Sequence, residues 1–360
     1  MNLADIAKIR LISQQIAGTK FKTVKDIVAW MGAMQAQDYA MVKWAIGVRL
    51  PNITDQVVET AIDNGEIIRT HLLRPTWHLV SADDIYWMLA LTAPQIKASL
   101  KSRHKELALS EAIFAKSNTI IEKALRGGKH LIREELMAAL GKAKIATDDN
   151  RSSHLLLRAE LDGIACSGAT KVGKQTYALL EARVPKTKPL TKEEALAKLA
   201  KKYFTSHCPA TLQDFVWWSG LSVGEASHAL EMVKSDFISE TIASQTYWLA
   251  DSFSIPKTGK ESVYLLPAFD EFIISYKDRS ASLPLENHNK TISNNGIFRP
   301  VIVVNGQVIG IWKRTVKKDK VMMETEFFKQ PNKSTKSLIE KAAISFGHFL
   351  EKKMEIIHKL

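Results

Sequence analysis

The order of helical and strand-like segments repeats three times along this chain of 360 residues. In each repeat, three segments with apolar residues at helical spacing precede two short strand-like segments. The first repeat has helices near 6–16, 24–34 and 57–62 and strands at 67–68 and 77–80. The second has helices near 111–125, 132–140 and 153–161 and strands at 164–167 and 175–180. The third opens at a capping-box pair, Thr191 and Glu194, and has further helices at 211–218 and 223–233 and strands at 237–241 and 247–249.

Three helices followed by a two-stranded hairpin form the pattern of a winged helix. The C-terminal part differs, because strands at 301–304 and 308–312 flank an Asn305-Gly306 turn that favours a hairpin. A basic stretch at 313–320, a return strand at 321–328 and an amphipathic helix at 337–357 follow it. We therefore predict an α+β, mainly helical fold with three tandem winged-helix domains, a small β-rich C-terminal part and a closing helix. The predicted domains are residues 1–100, 101–188, 189–258 and 259–360.

The charge balance favours a polyanionic partner. The chain has 50 Lys and Arg residues against 38 Asp and Glu residues, a net charge of +12 and a pI of about 9.4. Such an excess binds nucleic acid by neutralising phosphates, although a generally basic, solvated surface would give the same count. With repeated winged helices, double-stranded DNA is the expected partner. A monomer is expected, because no added dimerisation segment is evident, whereas winged-helix regulators usually dimerise.

The composition is typical of a cytoplasmic protein. The apolar fraction is 46% and the mean hydropathy is -0.10. No apolar run approaches the roughly 20 residues that a membrane span needs, and the first 18 residues resemble an amphipathic helix rather than a signal peptide. Two cysteines, Cys166 and Cys208, fit a reducing compartment better than a disulfide framework.

Several common site chemistries have no matching pattern in the sequence. There is no Cys-x-x-Cys pair, no His-Glu-x-x-His and no spaced group of His and Cys residues, so we expect no metal site. The glycine patterns that bind nucleotide phosphates and the Gly-x-Ser-x-Gly nucleophile pattern are missing as well. No cofactor is therefore expected.

A resemblance to a known family rests on five blocks that follow one another in family order. They lie at residues 34–38 (MQAQD), 74–80 (RPTWHLV), 208–221 (CPATLQDF to WSGL), 265–279 (LLPAFDE to YKDR) and 295–312 (NG to W). Together they resemble the bacterial winged-helix DNA glycosylases that excise alkylated purines and unhook interstrand crosslinks, the AlkZ and YcaQ group. The resemblance implies a C-shaped array of winged helices around DNA and a catalytic glutamine pair at Gln35 and Gln37. Pro75 and Cys208 stand where the family pattern has glycine, and both affect loop geometry rather than the chemistry.

Two amides suit the chemistry that the resemblance implies. Alkylation at N7 of guanine places a positive charge on the base, which makes it a good leaving group without a strong general acid. The remaining task is to hold a water molecule against the sugar carbon as oxocarbenium character develops. A glutamine side chain offers one acceptor and two donors and does not titrate. We expect Gln35 and Gln37 to lie side by side and partly exposed, although such residues often only cap a helix or face solvent.

The sequence therefore predicts a DNA repair glycosylase. It would hydrolyse the N-glycosidic bond of bulky cationic N7-alkyl purines and unhook interstrand crosslinks. It would be monofunctional, because no lysine is placed with the glutamines to form a Schiff base. The alternative is a non-enzymatic winged-helix DNA-binding protein, such as a transcriptional regulator.

Two groups of residues are candidates for binding DNA. Arg69 and Arg74 bracket the loop of the first hairpin and would suit phosphates, unless they are ordinary exposed arginines. Strand alternation places the side chain of His78 opposite that of Trp77, so that His78 faces the groove if Trp77 is in the core; a structural histidine is the alternative. The second group lies on the basic hairpin and comprises Lys313, Arg314, Lys317 and Lys318. Lysines of this kind also block sheet pairing at edges.

Other polar and aromatic residues near these blocks favour structural roles. Asp38 is expected to cap a helix or form a salt bridge rather than polarise a water molecule. Asp270 and Glu271 could be an acid/base pair, but the charged residues at 277–279 favour an ion-pair network. Three tryptophans in helical patterns are expected in the core: Trp87, Trp217 and Trp218.

Overall fold

A computed structural model of the chain describes residues 1–250 and 261–358 as an α+β fold. The helices are α1 (Leu3–Ser13), α2 (Val24–Met31), α3 (Tyr39–Arg49), α4 (Asp55–Asp63), α5 (Ile85–Ser99), α6 (Lys101–Glu106), α7 (Glu111–Leu125), α8 (Arg133–Lys142), α9 (Arg151–Leu161), α10 (Leu180–Arg183), α11 (Lys192–Ser206), α12 (Leu212–Ser219), α13 (Val223–Val233), α14 (Glu271–Ile274), α15 (His288–Thr291) and α16 (Lys333–Phe349). The strands are β1 (Ala33–Gln35), β2 (Ile67–Leu72), β3 (Thr76–Ser81), β4 (Leu131–Ile132), β5 (Ala165–Ser167), β6 (Thr176–Leu179), β7 (Ile238–Ile242), β8 (Gln245–Leu249), β9 (Val263–Leu266), β10 (Val301–Val304), β11 (Gln307–Val316), β12 (Lys320–Phe327) and β13 (Lys353–His358).

The predicted order of three helices and a hairpin occurs three times. The first unit contains α2–α4 with β2 and β3, the second α7–α9 with β5 and β6, and the third α11–α13 with β7 and β8. A short strand joins each of the first two hairpins, which gives the sheet orders β1-β3-β2 and β4-β6-β5. Three helices followed by a hairpin are therefore present in each unit, whereas the winged-helix identity of the units and the division into domains stay predictions. The predicted boundary between residues 258 and 259 lies outside the described residues.

The helices of the first unit differ from the expected set. The sequence pattern assigned α1 to this unit and gave no helix between residues 35 and 56. In the structure, α1 packs elsewhere: Ile6 contacts Tyr247 and Ala281 in a small apolar cluster. The missing helix is α3, which is buried on nearly all sides. A helix buried all round lacks the polar face that makes a helical period visible in a sequence.

The second helix is shorter than predicted, and this determines the backbone around the glutamines. Gly32 follows α2 with a φ of 77°, a conformation that favours glycine, and it ends the helix. The chain then enters β1, which pairs antiparallel with β3 and places Gln35 opposite His78. Gln35 therefore lies at the end of a strand rather than at the end of a helix.

The C-terminal part forms one mixed sheet with the order β13-β12-β11-β10-β9. The closing helix was predicted to reach residue 357, but α16 ends at Phe349, and β13 follows and pairs parallel with β12. Phe346 and Phe349 of α16 pack on Trp44 of α3, at ring-centroid distances of 5.0 and 5.1 Å. The first unit and the C-terminal sheet thus share one apolar core.

A second core joins the sheet of the first unit to the helices of the third. Ile68 and Val80 belong to it, together with Tyr203 and Trp218. Gly220 ends α12 beside this contact, and a Cβ atom there would lie 2.5 Å from the carbonyl oxygen of Leu73. The close approach holds the turn between β2 and β3 against the third unit. None of the helices in the described residues combines the length and apolar character that crossing a membrane requires.

Candidate active site

Gln35 is fixed by two charged side chains. Its backbone N–H donates to Oε1 of Glu271 at 2.6 Å, and its Oε1 accepts from Nη2 of Arg74 at 2.8 Å. A guanidinium has donors only, so the oxygen of the amide, and not the nitrogen, must face Arg74. Gln35 is 7% exposed, which corrects the expectation that both glutamines are partly exposed. The oxygen of this amide is thus engaged, while its NH₂ group has no hydrogen-bond partner among the described residues.

Glu271 is a buried acceptor rather than an acid. Its Oε2 accepts from Nε1 of Trp218 at 3.2 Å and from the hydroxyl of Ser275, and Nε2 of His207 lies 3.7 Å away. Burial acts to raise the pKa of Glu271, but His207, Ser275 and the N–H of Gln35 outweigh it and hold the pKa at about 2. The carboxylate is therefore ionised and anchors the end of β1.

The neighbouring Asp270 confirms the ion-pair expectation with a different partner. Both of its oxygens accept from Arg49, at 2.8 and 2.9 Å, and both side chains are fully buried. Arg49 also donates to the backbone and side-chain oxygens of Gln14. The pair thus joins α1, α3 and the start of α14, whereas the sequence had pointed to charges at 277–279.

Arg69 binds Ala36, the middle residue of the glutamine motif Gln35-Ala36-Gln37. Its Nε donates to the carbonyl of Ala36 at 3.1 Å, and its Nη1 donates to Gln175 at 2.8 Å. The guanidinium stacks on Trp77, 4.2 Å from the ring centroid. The N–H of Ala36 donates to the carbonyl of Trp77 at 2.7 Å. Arg69 and Arg74, expected on phosphates, thus both bind the motif, and both backbone groups of Ala36 are satisfied.

Gln37 differs from Gln35, because its side chain is exposed. Within residues 1–250 and 261–358, no hydrogen bond to its amide is found. The next residue, Asp38, accepts from the N–H of Met41 at 3.1 Å and so caps α3, as expected. Arg314 lies 3.8 Å from the same carboxylate oxygen. The amide of Gln37 is therefore open, that is, exposed and without a hydrogen-bond partner in this part of the chain, and it lies between two fixed residues, Ala36 and Asp38.

The structure buries His78 completely, so the expectation that it faces a groove is wrong. Its strand, β3, is the middle strand of its sheet and is covered on both faces, so alternation with Trp77 does not decide exposure. Nδ1 lies 3.0 Å from the carbonyl of Thr76, which can only accept, so Nδ1 carries the proton. Burial lowers the pKa of His78 to about 3, and the Arg74 cation acts in the same direction. His78 is a neutral residue beneath the motif.

The basic hairpin formed by β11 and β12 approaches the motif at its base. Arg314 is half-buried beside Asp38. Lys313 is exposed, although it follows the core residue Ile311 by only two positions on the same strand. Lys317 and Lys318 lie at the exposed turn that follows β11. The four basic residues are therefore not equivalent, because Arg314 contacts the capping residue of α3 and the other three face solvent.

Trp217 is a surface residue that sequence reasoning placed in the core. It is 36% exposed, whereas Trp87 and Trp218 are buried as expected. Its backbone carbonyl accepts from Nη1 of Arg74 at 3.0 Å, and its Nε1 donates to the carbonyl of Ile274 at 2.7 Å. The third unit thus reaches the surroundings of Gln35 through Trp217, whose carbonyl is bound by Arg74 of the first unit.

Other site chemistries find no support in the described residues. No group of three or more His, Cys, Asp or Glu side chains there could hold a metal ion. Cys166 and Cys208 are free and buried, and burial raises the pKa of their thiols to about 12 and about 11. The chemically distinctive feature is the exposed amide of Gln37, unpartnered among the described residues, two residues after the bound amide of Gln35.

The chain is similar in sequence and structure to known DNA glycosylases. The sequence model of the family described as DNA glycosylase AlkZ-like matches residues 28–349. The interstrand DNA cross-link repair glycosylase of Streptomyces sahachiroi is 21% identical over 319 residues, which cover 81% of this chain and 82% of that protein. The solved structure of Streptomyces sahachiroi DNA glycosylase AlkZ matches with a TM-score of 0.83 at 16% identity, covers all of both chains and shows a shared fold. Because the family match spans most of its length, this chain belongs to the AlkZ-like DNA glycosylase family.

Proposed function

We propose that this protein is a monofunctional DNA repair glycosylase that hydrolyses the N-glycosidic bond of bulky cationic N7-alkyl purines. Membership of a DNA glycosylase family implies hydrolysis of N-glycosyl bonds. The observation that carries the finer proposal is the exposed amide of Gln37, unpartnered within the described ranges, two residues after the fixed amide of Gln35. We further interpret each unit of three helices and a hairpin as a winged helix, and propose that a monomer binds double-stranded DNA.

The two glutamines have different roles in this mechanism, one as hydrogen-bond acceptor and the other as donor. Gln37 is exposed and keeps its carbonyl oxygen, so it accepts a hydrogen bond from the attacking water and aims that water at the sugar carbon. The oxygen of Gln35 is bound to Arg74, so Gln35 contributes its NH₂ donors. Arg74 withdraws electron density from that amide and strengthens it as a donor. A donor and an acceptor at one site can hold one water molecule in one orientation.

A neutral site suits a cationic leaving group. The alkylated base already carries a positive charge, so no proton needs to be delivered to it. A carboxylate at the site would bind the cation in the ground state, which does not raise the rate of the chemical step. Of the two carboxylates near the motif, Asp38 accepts from the N–H of Met41 and lies 3.8 Å from Arg314. Glu271 is fully buried and faces the backbone of Gln35 rather than the open side of Gln37. It therefore positions the motif without contacting the base.

Interstrand crosslinks are the further substrate that we propose. The relative from Streptomyces sahachiroi is named as a cross-link repair glycosylase, and its match extends over most of both chains. An open motif also suits bulky adducts, because the exposed amide of Gln37 does not require a fully enclosed base pocket. The hairpin bearing Lys313, Lys317 and Lys318 would bind the phosphate backbone, with Arg314 joining its base to Asp38.

The test is base release from a duplex that carries one N7-alkylated guanine. Wild type is expected to release the base, and Gln37→Ala to release it on the order of 10²-fold more slowly, as when one oxyanion-hole donor is removed. Gln330→Ala, at another exposed glutamine, is the matched control and should keep the wild-type rate. Equal rates for all three proteins would refute the glutamine mechanism.

The alternative remains a winged-helix protein that binds DNA without cleaving the glycosidic bond. It would become the leading account if wild type released no base from several N7-alkylated duplexes and from a crosslinked duplex. Binding to undamaged duplex, measured in parallel, separates these two outcomes, because phosphate contacts dominate affinity and do not depend on the chemistry.

A further inference from the structure

A cluster of cations surrounds the exposed ring of Trp217, outside the glutamine motif. Nζ of Lys277 and Cζ of Arg279 each lie 5.2 Å from the centroid of this ring. Arg74 donates to the carbonyl of the same residue. The three cations come from two separate parts of the chain, and the fold brings them together at one surface aromatic residue.

The cations of this cluster lack a carboxylate partner in the part of the chain that the structure describes. Arg279 donates to the carbonyls of Ile273 and Lys277, at 3.0 and 3.3 Å, and its guanidinium also lies 5.1 Å from the ring of Phe298. Burial lowers the pKa of Arg279 to about 10; Arg74 acts in the same direction and Asp214 opposes both. Arg279 is therefore a cation at neutral pH that is held by carbonyls and rings.

The two nearby carboxylates are engaged with other groups. Asp214 lies 3.6 Å from Arg10 and accepts from the backbone N–H groups of Lys277 and Asp278. Asp278 accepts from the backbone of Ser280 at 2.8 Å. Both carboxylates raise the pKa of Arg279, but neither forms an ion pair with Lys277 or Arg279, so the cluster keeps exposed positive charge that attracts anions.

The position of the cluster near the glutamine motif indicates which anion it would bind. Arg74 bridges it to the motif, since one of its nitrogens binds the carbonyl of Trp217 and another binds the amide of Gln35. An anion bound at this surface is therefore linked through Arg74 to Gln35. Resting on the proposed function, we infer that Trp217, Lys277 and Arg279 form a phosphate site for the DNA strand next to the nucleotide whose base is removed, and that Arg74 joins this site to Gln35 without binding the phosphate itself.

This site has a role that the basic hairpin cannot have. A phosphate held next to the reacting nucleotide fixes the sugar relative to Gln37, and positioning of this kind lowers the barrier to reaction. The ring of Trp217 keeps the flexible Lys277 side chain near its binding position through a cation–π contact, which reduces the entropy lost on binding.

The test compares Lys277→Gln with Lys116→Gln, an exposed lysine on α7 of the second unit. Both substitutions remove one positive charge, so a difference between them is local. Binding to undamaged duplex is measured by fluorescence anisotropy from about 50 to 200 mM salt, a range over which phosphate contacts change affinity strongly. Lys277→Gln is expected to weaken binding about 5- to 10-fold at about 0.1 M salt and to lower the salt slope by about one. If the two variants behave alike, the phosphate site is wrong.

A methylphosphonate scan locates the contact. Single neutral methylphosphonates are placed along a duplex with a stable abasic analogue at the target position. Wild type should lose affinity at a position adjacent to the analogue, and Lys277→Gln should be insensitive there, since the contact is already lost. Equal sensitivity in both proteins at every position would overturn the placement beside the target. Absence of base release, together with the predicted binding losses, would refute the proposed function and leave the phosphate site standing.

Discussion

The surroundings of the glutamine motif and the tip of the basic hairpin use their cations in opposite ways. Around the motif, Arg69 and Arg74 donate to oxygens of the protein itself, those of Ala36 and Gln35. At the hairpin tip, residues 316–320, the side chains of Lys317 and Lys318 extend into solvent. A cation with a buried protein acceptor stabilises the folded chain, whereas an exposed cation is available for phosphates.

Because of this difference, substitutions in the two regions should affect different quantities, the free energy of unfolding and the affinity for DNA. Changes around the motif should reduce the free energy of unfolding, because they leave buried donors or acceptors unpaired. Changes at the hairpin tip should leave that free energy unaltered and act on DNA affinity alone. The predictions below are ordered by their expected effect on unfolding, from the largest to none.

Glu271→Ala should cause the largest loss of stability. The substitution removes a buried carboxylate that accepts from Gln35, Trp218 and Ser275, and it leaves these donors unpaired. Losing one partner of a buried charged network costs about 3–5 kcal/mol. Urea unfolding measures the loss, and Glu286→Ala, an exposed glutamate, is the control. A loss below about 1 kcal/mol would mean that Glu271 does not anchor β1.

Stability should fall as the pH drops below 6.5, because His78 is buried in its neutral form. Its folded pKa of about 3 lies below the ordinary value of 6.5, so below pH 6.5 the unfolded chain binds a proton that the folded chain does not. At pH 5 this costs roughly 2 kcal/mol. Glu271, with a folded pKa of about 2, adds a further loss only between pH 4.5 and 2.

Urea unfolding between pH 7.5 and pH 5 checks this dependence. His78→Gln, which cannot bind the proton, should show a shallower fall of stability with pH than wild type. His288→Gln on α15 is the control and should keep the wild-type slope. If His78→Gln and wild type lose the same stability between these pH values, His78 is not neutral and buried.

Gln35→Ala and Gln37→Ala should separate the two glutamines. Gln35 is buried and bound to Arg74, so its removal leaves a buried guanidinium donor unpaired and costs about 1–2 kcal/mol of unfolding free energy. Gln37 is exposed, and its removal should change stability by less than about 0.5 kcal/mol. Base release should fall on the order of 10²-fold in both, with the double variant losing less than the product.

Thermal melts and single-turnover base release on the same preparations decide this prediction. DNA affinity should barely change in either variant, because phosphate contacts dominate it. Equal stability of the two variants would contradict the distinction between a fixed and an open glutamine. Loss of activity in Gln35→Ala alone would assign the water to Gln35.

Much of the fold is predictable because amphipathic helices reveal themselves in sequence. The predicted helices at 111–125 and 223–233 coincide with α7 and α13, whose apolar faces are buried and whose other faces meet solvent. The helix α3 could not be found in this way, since it is buried nearly all round. Strand β13 was also not predicted, because its pairing with β12 depends on a contact between segments about 30 residues apart.

The sequence predicts where the site lies, but not which residues hold the glutamine motif in place. The block that contains Gln35 and Gln37 identified the motif, because the family resemblance rests on short local patterns. The anchor Glu271 lies 236 positions from Gln35, and no local pattern links the two residues. Sequence also cannot distinguish an arginine that binds a buried carbonyl from one that awaits phosphate, since burial of the partner decides between them. For that reason Arg69 and Arg74 were expected on DNA.

The hairpin tip provides the prediction with no expected effect on stability. The double substitution Lys317→Gln/Lys318→Gln removes two exposed charges from the turn between β11 and β12. Backbone hydrogen bonds hold this turn, including Lys317 N–H to the carbonyl of Lys320 at 2.8 Å, and the substitutions leave them intact. The free energy of unfolding should therefore stay within about 0.5 kcal/mol of wild type. Affinity for duplexes of any sequence should fall, and the salt slope should drop by up to about two, because phosphate contacts carry no sequence information.

The matched control is Lys336→Gln/Lys341→Gln, which removes two exposed charges from α16. The two double variants have the same net charge, so they differ only in where the charge was removed. A reduced salt slope in the hairpin variant alone would assign phosphate contacts to the tip. Equal slopes in the two variants would mean that Lys317 and Lys318 serve only to keep an exposed hairpin soluble and unpaired, a role that lysines fill at sheet edges. The contrast between motif and hairpin would then hold for stability but not for DNA binding, and the Trp217 cluster would become the principal basic contact to test.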